Sequence, residues 1–154
     1  MAGLTPLFTI RDVQRWTDNF KDRAEEKLEK TLTYIGERFV AMARDRGPEE
    51  SFRDITGNLR SSISYIVVKD GKILCENFQR SRSGTEGNEG VNKARRLASV
   101  LARTHIKGFV LIGMAGMDYA IYVENMENKD VISSPEVAAN KELKILLKQI
   151  LNGR

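Results

Sequence analysis

The sequence predicts an α+β fold with an antiparallel sheet of three to four strands. Two observations carry this prediction. Apolar residues recur every three or four positions near both ends of the chain, and two apolar segments flank an Asp70-Gly71 pair in its middle. The first pattern is typical of amphipathic helices and the second of a β-hairpin with a two-residue turn. Hairpin-linked strands are antiparallel, and no alternating strand–helix pattern indicates a parallel sheet.

A long helix opens the chain. Its apolar positions follow steps of three and four: Val13, Trp16, Phe20, Ala24, Leu28, Leu32, Ile35, Phe39 and Met42. Thr9 and Asp12 predict an N-terminal cap, and Gly47-Pro48 predicts the stop. Roughly 35 residues would form a helix about 50 Å long, which exceeds the width of a small domain. We therefore expect a break near Thr17-Asp18 or an overhang that needs something to pack on.

A β-hairpin is predicted over residues 60–79. With Lys69 opposite Lys72, Val67 would pair with Leu74. Both faces of the hairpin are apolar near the turn. We therefore expect another element of the chain, or another subunit, to cover the second face.

Residues 79–107 are interpreted as a flexible loop and a basic helix inserted between strands. The loop, 79–90, has no apolar residue and three glycines, which is typical of a mobile segment. The stretch contains 7 Lys or Arg against 2 Asp or Glu, whereas the rest of the chain is nearly balanced. The candidate phosphate or partner contacts are Arg80, Arg82, Lys93, Arg95, Arg96 and Arg103.

The last third of the chain predicts one or two strands and a closing helix. Residues 109–114 are a buried-strand candidate, and 118–124 could form a fourth strand or a short helical turn, which periodicity does not decide. Ser134-Pro135-Glu136 has the order of an N-cap, a first-turn proline and an acidic residue. We expect residues 1–154 to form a single domain.

Composition excludes several classes of protein. The chain is 41% hydrophobic and 30% charged, which argues against a disordered chain. The longest apolar run, 108–117, is about half of what spans a bilayer, and no secretory leader is evident. The single cysteine fits a reducing, cytoplasmic setting. We expect a soluble protein.

Groups that could carry catalysis are scarce. His105 and Cys75 are the only residues of their types, they lie in different predicted elements, and they cannot supply a usual zinc ligand set. Gly84, Gly87 and Gly90 could expose N–H groups to a phosphate, but their spacing matches neither the dinucleotide fingerprint nor a P-loop. We expect no catalytic residue, no cofactor and no metal.

Nucleic-acid binding by the basic 80–107 segment is the alternative function. No aromatic residue lies between Phe78 and Phe109 to stack on bases. Binding would therefore be to phosphates, sensitive to salt and indifferent to sequence.

Two segments are harder to explain as ordinary surface. The first joins the long helix to the hairpin and contains Asp54, Thr56, Gly57, Leu59, Arg60, Ser62 and Ile63; the second contains Tyr119, Ala120, Tyr122, Val123 and Glu124. Asp54 and Thr56 can accept hydrogen bonds from the backbone of a turn, and Gly57 permits a sharp bend. Leu59 and Ile63 can anchor the turn to the core. Arg60 is left to pair with a carboxylate such as Glu124.

With these two segments the chain resembles the tail-completion and head–tail joining proteins of long-tailed bacteriophages. That family has a helix ending in a D-T-G-x-L-R-x-S-I segment, a hairpin, a strand, a Y-A-x-Y-V-E segment and a closing helix. The order here is similar over about residues 10–150. The chain departs from the pattern at Ile55, at Asn125-Met126 in place of Phe-Gly, and in its long 80–107 insertion.

The resemblance implies a structural phage or prophage protein that is not an enzyme. It implies a ring of identical subunits where the tail meets the head or where the tail tube ends. The implied partners are further copies, other head–tail or tail-tube proteins, and DNA only as passing cargo, with no membrane. It also implies assembly in the host bacterial cytoplasm, followed by residence in the virion neck or tail. We expect loop 79–93 to become ordered at a subunit contact or to face the DNA channel.

Overall fold

The computed structural model describes residues 7–45, 54–82, 84–120 and 130–153. Within them lie α1 (Ile10–Arg44), α2 (Asn58–Ser62), β1 (Ile63–Lys69), β2 (Lys72–Asn77), α3 (Asn88–Thr104), β3 (Phe109–Ala115) and α4 (Ser133–Leu151). The strands form an antiparallel sheet in the order β2-β1-β3. The predicted α+β class, with a long first helix, a hairpin, an inserted helix and a closing helix, is confirmed.

Helix α1 runs unbroken for 35 residues, so the overhang is correct and the break near 17–18 is wrong. The predicted cap is present: the Asp12 N–H donates to Thr9 Oγ1 at 3.2 Å, and the Thr9 N–H donates to the Asp12 carboxylate at 2.8 Å. These bonds lower the pKa of Asp12. The helix ends at Arg44. The predicted stop at Gly47-Pro48 lies outside the described residues.

The hairpin register differs from the prediction by one residue over most of β2. Val68 pairs with Ile73 as expected, but Val67 pairs with Cys75 because Leu74 is an extra residue in a β-bulge. On its other side β1 keeps an unbroken ladder with β3. Since β2 lies at the edge of the sheet, it can take up the extra residue without disturbing a second ladder.

Helices cover both faces of the sheet. One core cluster joins α1 and α4 to the sheet and includes Leu32, Ile35, Phe39, Ile63, Tyr65 and Val67. A second cluster joins α3 to the opposite face and comprises Ile66, Val68, Ala98, Ala102 and Met114. Of the two alternatives for the second face of the hairpin, the structure therefore shows an element of the same chain.

Helix α4 packs along α1, with its start near Phe39 and its end near Leu28. Glu142 fixes this packing by pairing with Arg38 at 2.8 Å and accepting from the Tyr34 hydroxyl at 3.3 Å.

The predicted N-cap of α4 at Ser134 is wrong. The helix begins at Ser133, and Ser134 lies in its first turn. Its N–H donates to the carboxylate of Asp130 at 3.1 Å. An acidic residue upstream of the helix thus supplies the acceptor that we assigned to Ser134.

Candidate functional site

The segment after α1 forms a hydrogen-bonded corner around Asp54. One oxygen of its carboxylate accepts from the Gly57 N–H at 3.0 Å and the other from the Arg60 N–H at 2.6 Å. Thr56 Oγ1 accepts from the Asn58 N–H at 3.3 Å. Gly57 has a φ of +78°, in the left-handed region that glycine adopts without steric cost. The turn interactions that the sequence predicts are therefore present.

Buried side chains hold this corner against the core. Leu59 and Ile63 are almost completely buried, and the Ser62 hydroxyl donates to the Leu59 carbonyl at 2.8 Å. The Arg60 guanidinium donates to the backbone carbonyl of Arg44 at the end of α1. The corner is thus tied to both the helix before it and the strand after it.

Arg44 connects the corner to the strand that leads into the loop. Its guanidinium donates to the carbonyls of Ile63 at 2.5 Å and Gln79 at 2.9 Å. Burial lowers the pKa of Arg44. The predicted pair between Arg60 and Glu124 stays a prediction, since Tyr122, Val123 and Glu124 lie outside the described residues.

The loop after β2 rests on this corner. The Ser81 N–H donates to Ser61 Oγ at 2.9 Å, and the Glu86 N–H donates to the Thr56 carbonyl at 2.8 Å. Asn58 Oδ1 accepts from the Gly90 N–H at 3.1 Å. Two segments that the sequence singles out separately therefore form one surface. We call the described residues of 54–63 and 79–90 the corner–loop surface.

The loop glycines allow this close approach. A Cβ at Gly84 would collide with the backbone of Gly57, and one at Gly90 would collide with the carbonyl of Asn58. Packing against the corner therefore accounts for two of the three glycines that suggested a phosphate loop. The mobility of the loop stays a prediction.

Asn58 is the residue of this surface that sequence reasoning missed. Its side chain is 5% exposed and bonds both Gly90 and the Glu86 carboxylate. The available signal was a polar residue directly after Gly57, between the turn and the anchoring Leu59.

The second singled-out segment lies beside the first. Asp118 accepts from Lys93 Nζ at 2.6 Å, and this bond is the main cause of the raised pKa of Lys93. Burial raises the pKa of Tyr119, and the charges of Asp54 and Glu89 add to the effect. Ala120 is buried in the core cluster of α1.

A comparison with protein families decides the class of this chain. The sequence model of the family described as "Bacteriophage HK97-gp10, putative tail-component" matches residues 11–125. The chain belongs to this family. The matched range runs from α1 through β3 and includes the whole corner–loop surface, whereas α4 lies beyond it. Comparison with curated proteins and with solved structures gives no match.

In this HK97-gp10 family member, three of the six basic candidates are engaged within the chain. Lys93 pairs with Asp118, Arg95 lies 5.4 Å from the ring centroid of Phe78, and Arg80 donates to the Thr85 carbonyl at 3.0 Å.

The other three basic candidates are exposed: Arg82, Arg96 and Arg103. Arg96 and Arg103 are separated by seven positions, about two turns, so they lie on the same side of α3. They form a small basic face on the side of the sheet opposite α1 and α4.

The two candidates for nucleophilic chemistry are engaged elsewhere. Cys75 Sγ donates to the Glu29 carboxylate at 3.5 Å, and His105, exposed at the end of α3, has Nδ1 3.0 Å from the Leu101 carbonyl. The residues that the structure describes include no cluster of three His, Cys, Asp or Glu side chains that could bind a metal. None of the described helices could span a membrane.

Proposed function

We propose that this member of the phage tail-component family is a tail-completion or head–tail joining protein. It assembles as a ring of identical subunits in the host cytoplasm and then occupies the neck or tail of the virion. The observation that carries the proposal is the corner–loop surface, which contains the whole D-I-T-G-N-L-R-S-S-I segment and lies within the matched range 11–125. Its polar side chains form hydrogen bonds to the backbone, which suits a structural role.

The free edge of the sheet supports subunit association. Strand β2 pairs only with β1 among the described residues, and near the turn it exposes Ile73 and Leu74 by 36% and 40%. An unpaired strand edge with apolar side chains is a ready surface for another chain. We propose that this edge lies at a contact between neighbouring subunits.

The basic face of α3 supports a position beside DNA. Arg96 and Arg103 leave their charges at the surface of α3, on the side of the sheet away from α4, and Arg82 in the loop is exposed as well. Such charges would attract phosphates without reading sequence. We propose that loop 79–93 and this face either line the channel through which DNA passes or meet the next subunit.

The experiment that tests the function removes the protein from the assembling phage. Without the gene, electron microscopy should show separate or unfinished heads and tails. Expression of the gene in trans should restore complete particles. Complete, infectious particles from the deletion would overturn the proposal. Native mass spectrometry of the purified chain should give one closed oligomer, and a distribution of open lengths would count against a ring.

Testing the loop needs a substitution that spares the corner, because loop residues bond Asn58 and Thr56. Arg82→Glu leaves those bonds in place and should impair particle assembly if the loop faces DNA or a neighbour. Lys141→Glu, an exposed cation of α4 on the other side of the sheet, is the matched control. Equal yields of particles from both variants would refute the role of the loop.

A small nucleic-acid-binding module is the second candidate, and the paired exposure of Arg96 and Arg103 favours it. It predicts duplex affinity that falls steeply with salt and that drops when both arginines become glutamate. The absence of binding at roughly 50 mM salt removes this candidate.

A further inference from the structure

The first half of α1 projects from the body of the protein and exposes apolar side chains. In the described chain, the first side chain of α1 that bonds the sheet is Glu25, whose carboxylate lies 2.5 Å from Lys69 Nζ. The preceding 10–24 segment is about 22 Å long. It carries what we call the overhang stripe, which consists of Phe8, Ile10, Val13, Trp16 and Phe20 with 53%, 80%, 42%, 61% and 76% exposure.

The overhang stripe continues the side of α1 that borders α4 further along. Trp16 and Tyr34 are separated by 18 positions, about five helical turns, and so are Phe20 and Arg38. Each pair therefore points in the same direction. Since Tyr34 and Arg38 both contact Glu142 on α4, the stripe presents a helix-packing face beyond the end of α4.

A second apolar surface lies open on the same chain. Helix α4, β3 and α1 border a groove of about 430 Å³ that is lined by Leu28, Phe109, Leu111, Leu143 and Leu147, among others. An open apolar groove of this size can accept large hydrophobic side chains.

The stripe cannot reach the groove of its own subunit. Trp16 precedes Leu28 by 12 positions of an unbroken helix, which holds the two about 18 Å apart. Both surfaces can therefore be covered by one kind of contact, provided that the stripe and the groove belong to different copies of the chain.

We propose that the overhang stripe of one subunit docks into the α4–β3 groove of the next, with Trp16 and Phe20 as its anchors. This inference rests on the proposed ring assembly and names one of its contacts. Because stripe and groove are different surfaces, the contact is head-to-tail, the type that closes a ring when the rotation fits.

Size and charge both suit a second copy as the occupant. The exposed parts of Phe8, Trp16 and Phe20 amount to about 400 Å², roughly half of what one partner gives to a standard interface, before the rest of the stripe is counted. Residues 10–27 contain five basic and five acidic side chains, so this segment has no net charge that would repel another copy.

Fluorescence gives a direct test because Trp16 is the only tryptophan. Its emission should move to shorter wavelength as the full chain is concentrated, in step with sedimentation. Leu147→Asp alters only the groove. The dissociation constant obtained from emission and from sedimentation should rise at least roughly thirty-fold, as expected when an anchor contact is lost. Ile145→Asp, at an exposed position of α4 two residues before Leu147 and outside the groove, is the matched control and should change neither. A wild-type chain that stays monomeric overturns the proposal.

Cross-linking tests the direction of the contact and does not depend on the folding of Leu147→Asp. On a Cys75→Ser background, chains with Thr17→Cys beside the stripe are mixed with chains carrying Lys148→Cys beside the groove and treated with a short bismaleimide. A dimeric product that requires both chains supports the proposal. A product from Thr17→Cys chains alone means that stripes pair with each other and overturns it. Rings without any product overturn this docking mode but leave the proposed function standing.

Discussion

The hydroxyl of Tyr65 donates a hydrogen bond to the carboxylate of Glu37 at 2.8 Å. Tyr65 lies in the central strand and is 1% exposed, whereas Glu37 is on α1. The second oxygen of Glu37 accepts from Asn77 Nδ2 at 2.8 Å. One carboxylate therefore fastens the packed half of the long helix to both strands of the hairpin.

Removing this carboxylate should destabilise the fold. We expect Glu37→Ala to lower the free energy of unfolding by about 1–3 kcal/mol, since two largely buried donors lose their acceptor. Urea denaturation followed by circular dichroism measures the change. Glu26→Ala is the matched control, because its ion pair with Lys30 is well exposed and should add little to stability. Equal losses from the two variants would contradict the role of Glu37.

The same contact predicts a loss of stability at alkaline pH. Burial, with the bond to Glu37, raises the pKa of Tyr65 well above its ordinary value of 10.0. The folded state therefore favours the protonated phenol, and this stabilisation is complete below pH 10 and lost as the pH rises further. Ultraviolet titration of the phenolates should show Tyr65 ionising only as the protein unfolds. Tyr65→Phe should remove that part of the pH dependence, whereas Tyr34→Phe should not. Ionisation of Tyr65 together with exposed tyrosines, in folded protein, would refute this.

Local signals in the sequence predicted most of the framework. The capping pair Thr9 and Asp12, the Asp70-Gly71 turn and the hydrogen bonds of Asp54 each involve residues within six positions of one another. Their geometry follows from short-range chemistry that any surrounding fold would permit. Apolar periodicity likewise placed α1, α3, α4 and the three strands of the sheet, although residues 60–62, which we assigned to the hairpin, belong to the short helix α2.

The features that the sequence did not reveal depend on distant parts of the chain. The bulge at Leu74 is taken up by β2 because β2 is the edge strand, whereas β1 is also paired with β3, which begins over 30 residues later. The bonds of Asn58 to Glu86 and Gly90 likewise join segments about 30 positions apart. From composition the loop could be predicted only to be polar and glycine-rich. Its hydrogen bonds to the corner become visible only in the fold.

The contact between loop and corner predicts an unusual response to alanine. Gly90 lies in the first turn of α3 with an ordinary helical φ, so alanine should favour the helix by about 1 kcal/mol. A Cβ there would nevertheless collide with the Asn58 carbonyl. We expect Gly90→Ala to destabilise the protein by about 1–3 kcal/mol in urea denaturation. Ser99→Ala, on the exposed side of the same helix, should change stability by less than about 0.5 kcal/mol. A stabilised Gly90→Ala variant would mean that the loop does not pack on the corner.

The first turn of α1 should loosen in acid, and with it the geometry of the overhang stripe. The bonds with Thr9 lower the pKa of Asp12 below its ordinary value of 3.8. A depressed folded-state pKa means that the stabilisation is complete above about pH 3.8 and is lost as the pH falls through the folded-state value. Phe8, whose ring centroid lies 6.4 Å from that of Trp16, should then lose this contact. Amide resonances of Thr9 and Asp12 in dilute protein report this change. In Asp12→Asn, whose side chain does not titrate, the same resonances should be nearly independent of pH in this range. Identical titration curves for the two proteins would show that another carboxylate controls the turn.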